Sequence, residues 1–154
     1  MSGRIDIRAF TDALVSHAAE TGWFTQVNSH EPKSAPNGNL TGAVWVQTLR
    51  PDPGRSGLDV TSAWLTFTLR IYAPMLQEPQ DEIDPQIIDA VDDLLTLFSG
   101  DFTLDGMIRE VDLLGLSGTG LSVQSGYLDV DRKKFRIVDI TIPLGLSDVW
   151  DQAA

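Results

Sequence analysis

The most regular pattern in the chain is the alternation of apolar and polar residues between Val60 and Tyr72. The apolar positions of this stretch are Ala63, Leu65, Phe67, Leu69 and Ile71. Because successive strand side chains point to opposite faces, the period of two predicts one β-strand of roughly 40 Å at about 3.3 Å per residue. The other face carries Trp64, Arg70 and Tyr72 among Ser and Thr residues, which suits packing against something other than bulk water. We interpret this stretch as the central strand of a sheet that also meets another subunit.

Two segments repeat apolar residues every three or four positions and are predicted to be amphipathic helices. The first spans Asp6 to Thr21 and is followed by Gly22, a common residue just beyond a helix end. The second runs from about Pro85 to Phe98, with Asp84 as its predicted N-cap. The side opposite its apolar stripe is acidic, with Asp89, Asp92 and Asp93.

Shorter strands are predicted on both sides of the second helix, and they set the fold class. The segments are Trp23–Val27, Ala43–Leu49, Met107–Leu113, Val123–Val130 and Lys134–Leu144. The Pro- and Gly-rich residues 51–57 predict a hairpin with a mobile tip, and the tail from Ser147 is expected to be poorly ordered. This order of elements predicts a single α+β domain over residues 1–154, with about six mostly antiparallel strands and two helices on one face.

Composition narrows the function classes. A chain of 154 residues without Cys excludes disulfides and thiolate chemistry, and it is long enough for a sizeable core. The formal charge of −11 argues against a free-standing nucleic-acid binder, which normally carries a basic face. No signal-peptide pattern and no apolar run of about 18 residues is present, so we expect a soluble protein of the cytoplasm with no membrane partner.

The charges are concentrated in two places. The acidic segment Glu78–Asp93 contains no Lys or Arg, whereas residues 132–136 contain four bases, Arg132, Lys133, Lys134 and Arg136. Solvated surface is the simpler interpretation of each segment. The alternative is that the acidic segment of one copy faces the basic segment of the next copy.

No pattern predicts catalytic, cofactor or metal chemistry, and we do not expect an enzyme. A Gly-x-Ser-x-Gly nucleophile motif is absent, and the glycine-rich residues 115–120 lack the Lys of a phosphate-binding loop. His17 has no second His or Cys close in sequence, so a packing role is the expectation. Carboxylates at adjacent helix positions, such as Asp92 and Asp93, point in different directions and do not converge on one pocket.

The apolar strand faces exceed what two helices can cover. Two helices cover one face of a six-stranded sheet, which leaves Trp64 and Tyr72 on a second face. Because monomers rarely expose large apolar patches, we predict that another copy covers this face. Trp64 and Tyr72 therefore join the charged residues above, including Asp84, as subunit-interface candidates.

The chain resembles the tail terminator, or tail-completion, proteins of long-tailed bacteriophages. The resemblance is in the order and spacing of GWFTQVNSHEP (22–32), AWLTFTLRIYAP (63–74), DEIDPQIIDAVDDLLTLF (81–98), MIREVDL (107–113) and GYLDVDRKKFRIVDITIPL (126–144). It implies an α+β subunit of a hexameric ring. Such a ring caps the head-proximal end of the tail tube, ends tube polymerisation and joins the tail to the head connector.

The resemblance also implies partners and a location. The partners are further copies of the chain, the tail-tube protein and the head–tail connector protein, in a virion tail assembled in the host cytoplasm. Genomic DNA would pass through the ring without specific binding, either repelled by the negative protein or facing a bore lined by Arg132–Arg136. The alternatives are another connector or tail-tube component of the same fold, or a small-molecule-binding α+β domain.

Overall fold

The computed structural model describes residues 6–32, 40–52, 60–74, 83–100, 108, 110–113, 115, 120–130 and 132–151, of which 60, 74, 83–85 and 148–151 are described by backbone alone. These residues form two helices and a six-stranded sheet, which confirms the predicted α+β class. The helices are α1 (Ile7–Glu20) and α2 (Ile83–Gly100). The strands are β1 (Gln26–Asn28), β2 (Thr41–Pro51), β3 (Val60–Pro74), β4 (Glu110–Val111), β5 (Ser122–Val130) and β6 (Lys133–Asp151).

The sheet is built around β3 and β6, which are its longest strands. The order is β1-β2-β3-β6-β4, and β5 also pairs with β6. Every pairing is antiparallel except the short parallel contact of β1 with β2. The predicted mostly antiparallel sheet is therefore confirmed.

Strands β4 and β5 lie in one row along the same side of β6. Strand β4 is opposite Leu144 and Gly145, and β5 is opposite the segment from Lys133 to Thr141. Asp112 holds the point where the chain leaves this row: its N–H donates to Pro143 O at 2.8 Å, and its carbonyl accepts from Leu121 N–H at 2.8 Å. Its carboxylate also accepts from the N–H of Gly115, which adopts φ +98°.

Four sequence expectations about the ends of elements are wrong. The predicted strand Trp23–Val27 is strand only from Gln26, as β1. The tail from Ser147 to Asp151 continues β6, because β3 extends back to Val60 and pairs with it, with Thr61 opposite Trp150. Of the predicted strand Met107–Leu113, only the pair that forms β4 is strand among the described residues. Helix α2 begins at Ile83, so Asp84 is its second residue rather than its N-cap.

The main core lies between the sheet and the two helices. We call this side of the sheet the helix face; β3 contributes Leu65, Phe67, Leu69 and Ile71 to it. Helix α1 contributes Leu14 and Ala18, α2 contributes Leu94 and Phe98, and β6 contributes Ile140, Ile142 and Leu144. The apolar stripes predicted for β3 and the two helices therefore form the core. Full burial of each such side chain stabilises the fold by about 1.5–3 kcal/mol.

One side-chain contact joins the two helices: the His17 ring of α1 stacks on the Phe98 ring of α2, with 5.9 Å between the ring centroids. At its own start, α1 is capped by Asp6, whose side chain accepts a hydrogen bond from Ala9 N–H. The His17 Nδ1 atom lies 3.0 Å from Ala13 O, the carbonyl one turn earlier. The predicted packing role of His17 is therefore confirmed.

The opposite side of the sheet, which we call the second face, has its own apolar cluster. Its buried members are Ala43, Tyr72, Phe135 and Ile137, and Trp45, Leu128 and Val130 pack against them. Tyr72 meets Phe135 edge-on, and only 1% of Tyr72 and 3% of Trp64 is exposed. The expectation that another copy must cover Trp64 and Tyr72 is wrong, because this chain already buries them.

Candidate functional site

The predicted acidic surface on α2 is present, but one of its members serves its own chain. Asp89, Asp92 and Asp93 are exposed on the side of α2 away from the core. The Asp93 Oδ2 atom accepts a hydrogen bond of 2.6 Å from the indole Nε1 of Trp23. Asp93 thus connects α2 to the segment after α1, a contact that sequence spacing gave no means of predicting.

The predicted basic patch is divided between the two faces of the sheet. Val130 pairs with Lys133, and Arg132 in the turn between them adopts φ +66°. Because strand side chains alternate, Lys134 is on the helix face, while Lys133 shares the second face with Phe135. Arg132, Lys133 and Lys134 are exposed, so their charges lie around one hairpin tip rather than on one side of it.

Arg136, the fourth base, is held against its own hairpin. Its guanidinium carbon lies 4.9 Å from the centre of the Tyr127 ring, and its Nη1 donates to Gly126 O at 3.3 Å. The side chain is half-buried, so its aliphatic stem packs on the strand while its guanidinium makes a cation–π contact with the Tyr127 ring. Arg136 is therefore a positioned residue rather than part of a mobile charged surface.

Arg70 and Asp139 form an ion pair that the sequence analysis did not single out. They are opposite each other on β3 and β6, and Arg70 donates from Nε to Oδ1 at 2.6 Å and from Nη2 to Oδ2 at 3.0 Å. The guanidinium lies 5.2 Å from the Trp45 ring centre and 5.9 Å from that of Tyr72. Arg70 is the one charged residue of β3, but β6 carries several charges, so the sequence does not show which of them is the cross-strand partner.

The Asp139 carboxylate and burial explain the ionisation of this cluster. The hydrogen bonds to Asp139 raise the pKa of Arg70, so its charge is permanent. Burial raises the pKa of Tyr72, which keeps the phenol neutral. The cluster thus contains one fixed cation, one carboxylate that accepts both of its hydrogen bonds, and neutral rings, an arrangement that stabilises the second face.

An open apolar groove lies on the helix face between α2 and the hairpin of β5 and β6. Its volume is about 300 Å³, and Arg136 is its charged lining residue. The other lining residues are Ile87, Ile88, Val91, Val123, Ser125 and Val138. Ile88 is 64% exposed at its rim, so the groove presents apolar surface to the surroundings.

Besides the short outer edges of β1 and β4, two longer strand edges in the described part of the sheet have no described strand beside them. Among the described strands, β1 pairs only with Thr41, Gly42 and Ala43, and the exposed part of the β2 edge that no described strand covers runs from Trp45 to Leu49. All nine residues of β5 pair with β6 on one side, and no described strand pairs with the other side. Exposed rows of N–H and C=O groups of this kind are sites where another strand can add.

The described ranges contain neither a metal-binding cluster nor a helix that could cross a membrane. No group of three or more His, Cys, Asp or Glu residues there could hold a metal ion. No described helix has the length and apolar character needed to cross a membrane. Neither protein-family models nor curated proteins match this chain.

Proposed function

We propose that this chain is a structural subunit of a bacteriophage tail, a tail terminator that assembles into a ring. The observation that carries the proposal is the pair of open edges at opposite sides of an antiparallel sheet, one on β2 and one on β5. Two different complementary edges are what a head-to-tail contact between identical copies requires, and such contacts form a ring when the rotation between copies closes. The sequence resemblance supplies the phage context.

In the proposed role, the ring is hexameric and caps the head-proximal end of the tail tube. It ends tube polymerisation and joins the tail to the head connector in a virion assembled in the host cytoplasm. The net charge of −11 supports the passage of genomic DNA, since a negative protein repels phosphate and leaves the duplex free to slide.

Electron microscopy tests this proposal directly. Negative-stain images of the purified protein, with its mass measured across a concentration series, should show rings of one size that do not elongate. When added to the polymerising tail-tube protein of the same phage, these rings should bind one tube end and limit tube length. Long self-assembled tubes would indicate a tube subunit instead, and monomers at every concentration would contradict a ring.

A further inference from the structure

The exposed apolar side chains of the described residues are concentrated at the two open edges. Val46 and Leu49 lie on β2, and Val123 and Tyr127 lie on β5. Ile88 is beside β5, on the rim of the groove. Apolar side chains along an unpaired strand favour addition of another strand, because the addition buries them while it satisfies the backbone.

A β-bulge places the β2 side chains on one face. Residues three apart in a regular strand point to opposite faces, but the register shifts between Val46 and Thr48. Val46 is therefore opposite Phe67, and Leu49 is opposite Leu65, both of which belong to the core under the helices. Both exposed side chains thus lie on the helix face.

The β5 side chains lie on that same face. Val123 is opposite Ile140, a member of the core under the helices, and it lines the groove together with Ser125. Tyr127 is two positions beyond Ser125 on the same strand, and it is opposite Arg136, which also lines the groove. The two edges therefore match in the face that carries their apolar residues.

The strand directions match as well. The strands β2, β3, β6 and β5 are neighbours in that order, and each pair is antiparallel. An alternation over four strands means that β2 and β5 run in opposite directions. A second copy placed beside β5, with its helices on the same side, would therefore present its β2 in the antiparallel direction.

The charges at one end of this contact are complementary. Strand β1 runs parallel to β2 and ends at Asn28, opposite Ala43, and the exposed Glu31 follows three residues later, so this carboxylate lies near the Trp45 end of the open edge. In an antiparallel join, the Trp45 end of the open edge meets the tip of the neighbour's hairpin. The exposed bases Arg132 and Lys133 of one copy would then approach the exposed Glu31 of the next.

We infer that the ring proposed above closes by strand addition, in which the Trp45–Leu49 edge of one copy pairs antiparallel with β5 of the next copy. The apolar side chains of the incoming β2 then cover the groove beside α2. This inference rests on the proposed function for the closed ring, but it specifies the contact between any two copies.

Cysteine cross-linking tests the contact without interference, because the chain has no Cys of its own. Chains carrying Leu49→Cys are mixed with chains carrying Ser125→Cys or Val123→Cys and oxidised. We expect a covalent dimer with at least one of the two partners, since facing residues of adjacent strands come within disulfide reach. The matched control, Gln124→Cys, lies on the second face opposite Asp139 and should cross-link at least tenfold less.

A double variant extends the test to ring closure. Within one chain, the edges of β2 and β5 are about 14 Å apart, at about 4.8 Å per strand, which is too far for a disulfide. Oxidised Leu49→Cys/Ser125→Cys protein, or the Val123→Cys equivalent, should therefore give a ladder of oligomers that ends in a closed ring. A ladder of open filaments would support the strand contact but contradict the proposed terminator.

The opposite outcome separates the two proposals as well. Rings that form without cross-links at Leu49 would overturn the strand contact and leave the ring function standing. Failure to cross-link at any protein concentration, with only monomers present, would overturn both. As a second measurement, Lys133→Glu should reduce association at least tenfold, and Glu31→Lys in the same chain should restore it if these charges meet.

Discussion

Removal of the Asp139 carboxylate tests how much the ion pair with Arg70 contributes to the second face. The pair is joined by hydrogen bonds of 2.6 and 3.0 Å, and the side chains are 17% and 31% exposed. Exposed ion pairs contribute about 0.2–1 kcal/mol, whereas removing one partner of a buried pair costs about 3–5 kcal/mol. This pair is intermediate in exposure, so we expect Asp139→Ala to lower the free energy of unfolding by about 2 kcal/mol.

The measurement is urea unfolding in a double-mutant cycle of Asp139→Ala and Arg70→Met, at one low protein concentration so that association does not contribute. We expect a coupling energy of about 1–2 kcal/mol, because the two hydrogen bonds are lost with either partner. Asp129→Ala is the matched control: Asp129 is exposed and opposite Lys134, and its loss should change stability by less than about 0.5 kcal/mol.

The reasoning fails if the coupling energy is below about 0.3 kcal/mol, the range of an exposed surface pair. It also fails if Asp129→Ala costs as much as Asp139→Ala. In either case, the packing of Arg70 on Trp45 and Tyr72 would account for its position without the carboxylate.

Three further predictions concern single side chains. Because burial raises the pKa of Tyr72, its neutral phenol stabilises the fold below pH 10, and this contribution is lost as the pH rises through the raised pKa. In the Tyr127→Phe protein, tyrosinate absorbance should therefore appear only above pH 10 and together with unfolding. Arg132→Gly should raise the unfolding free energy by about 1 kcal/mol in urea, because a residue with a Cβ is strained at φ +66°. Asp93→Ala should lower the melting temperature by about 2–4 °C, equivalent to about 1 kcal/mol, through loss of the Trp23 hydrogen bond.

Each of these predictions has a contradicting result. Tyrosinate that forms in the folded Tyr127→Phe protein at its ordinary pKa would show that burial does not protect Tyr72. A less stable Arg132→Gly protein would show that the Arg132 side chain outweighs its backbone strain. Equal effects of Asp93→Ala and Asp92→Ala, on adjacent exposed carboxylates, would show that the Trp23 contact contributes nothing.

Local periodicity was enough to predict the elements that bury one continuous face. Strand β3 and the two helices show their period in the sequence itself, because each turns one row of apolar side chains toward the same core. The antiparallel pairing of β2 with β3 and of β5 with β6 followed from the short connections between them. These are properties of neighbouring residues, which a sequence displays directly.

The features that were missed depend on distant partners. The residues from Ser147 to Asp151 are strand because β3 extends far enough to pair with them, and their own pattern does not show it. The burial of Tyr72 depends on Phe135 and on Leu128, which reach the second face from later strands. The division of the basic residues was predictable, since Lys133 and Lys134 are adjacent in a strand and must point apart.

The bulge in β2 had no sequence signal and yet decides the proposed contact. Without the shift between Val46 and Thr48, Leu49 would lie on the second face, and the open edge would present apolar side chains on both sides. Such a displacement is set by the fit of β2 to β3 and not by the residues of β2 alone. The candidate site is therefore less predictable than the fold.

The excursion between β4 and β5 makes this part of the sheet tolerant of insertions. Asp112 and Leu121 join its two ends by a backbone hydrogen bond, so the chain rejoins the row beside β6 at a fixed point. Doubling the number of residues between such joined ends costs only about 0.6 kcal/mol in closure entropy. A foreign peptide could thus be displayed from this position, and relatives could diverge in length here, while both strands keep their register.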